Sequence, residues 1–165
     1  MATPDVHQAL STIFAELTDG AAKGGGAFVL NSGDRGLLRS LDALSAADAA
    51  RSANEGATIA AHALHLRYGL SLMNRWATEG GNPFADATWD EAWKVRGVDD
   101  RQWTEIRAGL RDEAQRWQRA LVTPRELTAV ELGGLMGSVA HLAYHVGAIR
   151  QIAKEARGPL EGTFV

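Results

Sequence analysis

Apolar residues recur at three- and four-residue steps along four long stretches of the chain, the spacing of amphipathic helices. These stretches predict helices over residues 5–23, 57–78, 100–121 and 128–156. No stretch alternates apolar and polar residues in the way that a half-buried strand does. Because each predicted helix has an apolar face to bury, we predict an all-α fold, a four-helix bundle.

The ends of the predicted helices carry residues that favour helix termini. Thr128 and Glu131 form the sequence pattern of a capping box at the start of the last helix. The glycine run 24–26 ends the first helix, and the segment 79–83, Glu-Gly-Gly-Asn-Pro, ends the second. Thr123-Pro124 separates the third helix from the fourth.

Two longer connections join these helices. The segment 31–50, after the first helix, contains a predicted turn at 31–34, a short helix at 36–44 and a serine-capped helical turn at 45–48. The segment 82–99, between the second and third long helices, carries Trp89 and Trp93. We expect it to pack over one end of the domain, and its tryptophans to pin it by burying area rather than to bind a cofactor.

Length and composition exclude several classes of protein. A chain of 165 residues fits one domain, 1–165, and its 45% hydrophobic and 22% charged residues are typical of globular proteins. A net charge of −3 provides no basic surface for nucleic acid. No apolar run approaches the roughly 20 residues that cross a bilayer, and the first ten residues do not resemble a signal peptide. With zero cysteines, the chain fits a cytoplasmic protein.

Four of the five histidines are predicted to face the interior of the bundle. His141 and His145 are four residues apart, so they stand one helical turn apart on one face of the last helix. His62 and His65 fall on the predicted inward face of the second helix, whereas His7 is read as a surface residue. The predicted inward arc of the last helix comprises Val130, Gly134, Gly137, Ser138, His141, His145, Ala148, Ile149 and Ile152.

Glycines crowd the middle of the last helix. Gly133, Gly134 and Gly137 each cost about 1 kcal/mol relative to alanine inside a helix. Such a cost indicates either close contact with another helix or a cavity beside the imidazoles of His141 and His145.

A metal ion can be bound by two imidazoles one helical turn apart together with a third from a facing helix. Catalytic zinc sites commonly have three protein ligands and one open position. The alternative is that the histidines only form hydrogen bonds within the core. Leu142, rather than glutamate, follows His141, which excludes the helix-borne metalloprotease pattern. No acidic residue is adjacent to a histidine, and Tyr144 is expected to be structural.

The order of these histidines resembles that of a known family. The phrase 58–65, which ends in His65, and the pattern His141-x-x-x-His145-x-Gly147 are similar to motifs of the DinB-like superfamily. The resemblance implies a four-helix bundle, often dimeric, with a divalent metal bound by one histidine of the second helix and two of the fourth. It assigns His65, His141 and His145 as ligands, with His62 as the alternative to His65.

The resemblance also implies a chemistry. Some relatives are transferases or isomerases that use a low-molecular-weight thiol, so the chain is expected to be a metal-dependent transferase or hydrolase of a small molecule. Zinc or nickel is the expected metal, and a low-molecular-weight thiol is a possible second cofactor. Many members of the family have glutamine where this chain has Ala148, so this chain lacks a polar group that could support a ligand or substrate. The alternative is a non-catalytic helical bundle that binds a metal or ligand, such as a stress-associated dimer.

Overall fold

A computed structural model describes residues 3–22 and 26–159 of the chain. Within these residues the protein has no β-strand, so the predicted all-α class is confirmed. None of the described helices is both long and apolar enough to span a bilayer. The α-helices are α1 (Thr3–Asp19), α2 (Gly36–Asp42), α3 (Ala46–Ala49), α4 (Ile59–Glu79), α5 (Asp100–Val122) and α6 (Ala129–Ile152).

The helix ends follow the predicted capping chemistry, with two exceptions. The capping box of Thr128 and Glu131 is present at the start of α6. This helix nevertheless ends at Ile152, before the predicted end, because the backbone of Ala153 is extended (φ −123°, ψ 116°). The first helix ends at Asp19, because Gly20 adopts a left-handed φ of +100°. Most of the glycine run predicted to end it lies outside the described residues.

The short elements between α1 and α4 also form, although the predicted helix 36–44 ends at Asp42. The amide of Asp34 donates to the carbonyl of Asn31 at 3.1 Å and closes the predicted turn. The serine cap precedes α3, where the Ser45 hydroxyl accepts from the amide of Asp48 at 3.1 Å. Both elements lie beside the core that the long helices enclose.

The core lies between the four long helices. Both α1 and α4 pack against α5 and α6, so each long helix has two long neighbours. Trp103 and Trp117 of α5 are fully buried, and their indole N–H groups donate to the carbonyl of Leu44 at 2.8 Å and to the hydroxyl of Ser138 at 3.0 Å. The polar atoms of both rings therefore have partners, as buried indoles require.

The orientation of α6 differs from the prediction. Val130, placed on the inward arc by the sequence pattern, is 85% exposed, and Gly134 and Gly137 are also exposed. The buried face lies about 100° further round the helix. Residues 132–149 contain no charged side chain, so polarity does not mark an outer face. The bulky aliphatic side chains decide the orientation. The buried residues are Leu135, Val139, Leu142, His145, Val146 and Ile149.

His7 is buried rather than on the surface, so that prediction is wrong. Only 2% of the residue is exposed, and its Nδ1 lies 3.0 Å from the carbonyl of Leu121. The last carbonyls of a helix have no partner within the helix. The imidazole of His7 donates a hydrogen bond to one of these carbonyls, that of Leu121, at the end of α5. A histidine near the chain start is therefore part of the contact between α1 and α5.

The connection between α4 and α5 runs along α4 and does not cover one end of the domain. The hydroxyl of Thr58, at the start of α4, donates to the carbonyl of Val95 at 2.9 Å. Further along α4, the guanidinium of Arg75 donates to the carbonyl of Pro83 at 2.8 Å. These two anchor points on α4 are about 25 Å apart along the helix axis. The connection therefore covers the part of α4 that carries His62 and His65.

Candidate metal centre

Four histidines meet where the first half of α4 faces the second half of α6. His62 and His65 lie in the first two turns of α4, after its N-cap Thr58, whose hydroxyl accepts from the amide of Ala61 at 3.1 Å. His141 and His145 lie in the second half of α6. The two helices therefore run in opposite directions where they contact each other, and their imidazoles enter one shared space.

Three of the imidazoles point their nitrogens at a common position. The Nε2 atom of His141 lies 3.0 Å from Nε2 of His65 and 3.0 Å from Nε2 of His145. One nitrogen from each of these residues lies within 4.8 Å of the others. Imidazole nitrogens that bind one ion at about 2.0–2.1 Å are about 3.0–3.4 Å apart. The two spacings at His141 lie at the short end of that range and the third pair lies within 4.8 Å, so these residues could hold a metal ion.

His62 lies behind this set of three. Its Nδ1 is 2.9 Å from Nδ1 of His145, on the opposite side of the His145 ring from the nitrogen that faces His141. Metal-binding histidines commonly use their second nitrogen for a hydrogen bond that orients the ring. The structure thus brings together His65, His141 and His145, and it places His62 as the partner that orients His145.

Hydrogen bonding alone does not account for His65. This residue is 8% exposed, and its Nδ1 has no hydrogen-bond partner among the described residues. The indole of Trp93 stacks on the His65 ring, with centroids 4.3 Å apart and planes at 28°. Buried polar atoms normally have partners. The stacking fixes the His65 ring with its Nε2 3.0 Å from Nε2 of His141, so hydrogen bonding among the described residues satisfies only one of its two nitrogens.

The surroundings keep these imidazoles neutral. Burial, and to a lesser extent the neighbouring histidines, lower the pKa of His65 to about 4 and that of His145 to about 3. Burial also lowers the pKa of His62 and His141. A neutral imidazole has a free lone pair, which a metal ion requires. The cluster can therefore accept a metal ion at neutral pH without first losing protons.

The tryptophans of the connection form walls of the site. Trp93 stacks on His65, and the Trp89 ring lies 5.4 Å from it. Trp89 is still 36% exposed and is parallel to Phe84, at 11° and 6.2 Å between centroids. The sequence predicts these side chains only as anchors of the connection, whereas both also contact His65. No spacing in the sequence indicates this contact, because the two tryptophans lie in an irregular connection in which residues four apart do not share a face.

Two cavities open on either side of the cluster, and both reach His65 and His141. We call the first, of about 380 Å³, the apolar cavity; Trp89 and Phe84 form part of its wall. The second, of about 530 Å³, is bordered by Trp93, His62 and Tyr144 and also reaches His145. Among the described residues, no carboxylate lines either cavity. The site therefore has access for small molecules but offers no acidic side chain as a general base.

Tyr144 lies at the rim of the second cavity. It is 69% exposed, and its ring meets the His145 ring edge-on, with centroids 4.9 Å apart. Its phenol is therefore mostly in solvent and its ring covers one side of His145. Tyr144 thus lies at the entrance of this cavity and not at a seam between helices, so its structural role stays a prediction.

Comparisons with known proteins provide no further assignment. No family model, curated protein or solved structure matches this chain. The similarity to the DinB-like superfamily therefore stays a prediction from the order of the histidines.

Proposed function

We propose that His65, His141 and His145 bind one divalent metal ion, zinc or nickel, in a metal-dependent enzyme that acts on a small molecule. The observation that carries the proposal is the position of His141 Nε2, 3.0 Å from a ring nitrogen of each of the other two residues. The metal would supply a Lewis acid that lowers the pKa of a thiol or water. Imidazole ligands suit both metals.

We also propose that the long helices form a four-helix bundle of the DinB-like type, with the tryptophan-containing connection as its long crossover. The contacts of α1 and α4 with both α5 and α6 support this arrangement. The connection of residues 80–99 carries Trp89 and Trp93 to the histidines. In helix bundles, metal sites lie between facing helices, as the four histidines do here.

The lining of the site favours transfer of a thiol over hydrolysis. No described carboxylate lines either cavity, so the chain provides no evident base to take a proton from water. A thiol has a pKa of about 8.5 and water one of about 15.7, so a thiol ionises with far less assistance. We therefore propose a low-molecular-weight thiol as the nucleophile and a small electrophile as its acceptor.

The residues of the chain hold and protect this site. His62 orients the His145 ring through their Nδ1 contact of 2.9 Å. Trp93, stacked on His65, excludes water from one face of that imidazole. The neutral imidazoles supply lone pairs, and the two cavities admit the two reactants. No described carboxylate lines the cavities to take the proton of the thiol, so this proton would pass to solvent.

The alternative function is a non-catalytic bundle in which the metal is a structural brace. Ala148 borders the second cavity, where many members of the resembled family have a glutamine that could support a ligand. A structural site has all its positions filled by protein, whereas a catalytic one keeps a position open. The two functions therefore differ in whether a small thiol can reach the bound ion.

Cobalt(II) loading is expected to separate these functions. We expect protein purified without a histidine tag to bind one cobalt ion per chain, and 2-mercaptoethanol to add a thiolate-to-cobalt absorption band. The double variant His141→Ala/His145→Ala is expected to lose both signals. Full loading without the thiol band would support the structural brace. Equal, sub-stoichiometric loading of both proteins would show that the metal site is wrongly assigned.

We propose a homodimer that forms through the outward face of α6. Val130, Met136 and Tyr144 expose 85, 55 and 69% of their surface on this helix, and residues 132–149 carry no charged side chain. Apolar patches of this kind mark interaction sites. We expect the native protein to sediment as a dimer at micromolar concentration. The variant Met136→Glu is expected to be monomeric, because the dimer interface would bury the charge of the glutamate. A monomeric native protein would contradict the proposal.

The proposed setting is cytoplasmic, with small molecules as partners. The chain has no cysteine, which fits a reducing compartment. Its net charge of −3 does not favour binding of nucleic acid. The cavities, of about 380 and 530 Å³, have the size of small-molecule sites.

A further inference from the structure

The apolar cavity has a lining that defines the chemistry of its ligand. It lies between α4 and α6, beside His65 and His141, and contains no charged side chain. Leu66, Leu70 and Met73 of α4 supply its aliphatic surface. A charged group placed here would lose its hydration without gaining an ionic partner from the lining. The lining therefore favours an uncharged ligand.

Few side chains of the cavity lining carry polar atoms. The hydroxyl of Ser138 donates to the carbonyl of Leu135 at 2.7 Å and accepts from the indole N–H of Trp117 at 3.0 Å. The other polar side-chain groups of the lining are the imidazoles of His65 and His141 and the indole N–H of Trp89. A ligand can therefore place an uncharged polar group at the imidazoles or accept a hydrogen bond from the Trp89 indole, and the rest of the ligand has to be apolar.

The cavity has walls suited to a flat ring. Trp89 and Phe84 are parallel, at 11°, and border it on the side of the connection. On the side of α6, a Cβ atom added at Gly134 or Gly137 would meet nothing within 4 Å. These glycines therefore leave room that larger residues would fill. Offset stacking on an indole stabilises aromatic groups beyond the area that they bury.

Gly69 keeps the way from the cavity to the histidines open. A Cβ added there would lie 3.8 Å from the Trp89 ring and 3.9 Å from Cε1 of His141. Any longer side chain at this position would enter the space between these rings. The absence of a side chain at residue 69 thus joins the apolar cavity to the imidazole cluster.

We propose that the apolar cavity binds the uncharged, ring-bearing part of the substrate, with the substrate's reactive polar group at His65 and His141. The role of this cavity in turnover rests on the proposed function, whereas binding of the ring-bearing group in the cavity needs no metal. The volume of about 380 Å³ lies in the range of about 300–1,000 Å³ that holds small organic ligands. The second cavity, on the Trp93 side of the cluster, remains for the thiol.

The probe for this proposal is 4-fluorobenzyl alcohol, followed by fluorine NMR with metal-free protein. We expect native protein to bind it and Gly137→Leu to weaken binding at least tenfold, because leucine fills the cavity. Gly134→Leu is a second filling variant with the same expected result. Gly133→Leu is the matched control, since Gly133 faces open space on the same helix but does not line the cavity. It is expected to bind within twofold of native protein.

The charge of the ligand provides the second comparison. We expect 4-fluorobenzoate to bind at least tenfold more weakly than the alcohol, because its carboxylate has no cationic partner in the lining. No binding of the alcohol to native protein, or equal binding by all three leucine variants, would overturn the proposal. Equal affinity for the two probes would overturn the assignment of an uncharged ligand. Cobalt loading of the same proteins reports separately on the metal site, so either proposal can fail alone.

Discussion

Replacing His141 with alanine is expected to lower zinc affinity by more than about 100-fold, beyond the 10–100-fold losses typical of residues that only support a ligand. His141 Nε2 is the atom that approaches both other ring nitrogens, at 3.0 Å each. Its removal leaves only two imidazoles, one on each helix, to hold the ion. Competition with a chromophoric chelator measures the affinity, and chemical unfolding of the metal-free proteins checks that the variant folds.

His62→Ala is the matched control for this prediction. His62 shares the histidine cluster, but its nearest ring contact is Nδ1 of His145 at 2.9 Å, so it orients a ligand without joining the set of three. We therefore expect a loss of about 10–100-fold. If His62→Ala lost more zinc affinity than His65→Ala, the set of three would be wrongly chosen, and His62 would be the ligand from α4.

Metal-free protein is expected to lose stability as the pH falls below 6.5. The pKa of His65 is lowered to about 4 and that of His145 to about 3, from 6.5 in the unfolded chain, mainly by burial. Below pH 6.5 the unfolded chain therefore binds more protons than the folded protein, and the free energy of unfolding falls. One pKa unit corresponds to about 1.4 kcal/mol, so we expect a loss on the order of 3–5 kcal/mol between pH 7 and 4.5.

Urea unfolding at a series of pH values tests this expectation. The double variant His65→Gln/His145→Gln has no titrating group at either position, so its free energy of unfolding is expected to change much less between pH 7 and 5. Carboxylates titrate mainly below pH 5 and affect both proteins alike. Parallel curves for the two proteins over the whole range would show that these imidazoles are not held neutral by the fold.

The positions of the helices could be read largely from local sequence. The predicted third helix, 100–121, differs from α5 by one residue at its C-terminal end. The serine cap before α3 and the capping box of α6 are present as predicted, because caps depend on residues three positions apart. The end of α1 at Asp19 was not predicted, because a glycine is needed at position 20 to admit the backbone of Asp34. A Cβ there would lie 2.2 Å from the carbonyl oxygen of Asp34.

The choice between His62 and His65 could not be made from spacing. Both lie near the face of α4 that meets α6, within one helical turn. The distinction depends on the ring directions, which place Nε2 of His65 toward His141 and Nδ1 of His62 toward the outer nitrogen of His145. Trp93 adds a constraint from 28 residues away, since its stacking on the His65 ring limits that ring's orientation.

By itself, the sequence determined the all-helical class, most helix limits and the candidate histidines, because period, caps and i,i+4 spacing are local properties of the chain. Only the tertiary structure decided which face of α6 is buried and that His7 is buried. It also decided that Trp89 and Trp93 line the histidine cluster. These features depend on contacts between segments far apart in sequence. An apolar helix without charged residues can bury several faces, and its neighbours select one of them.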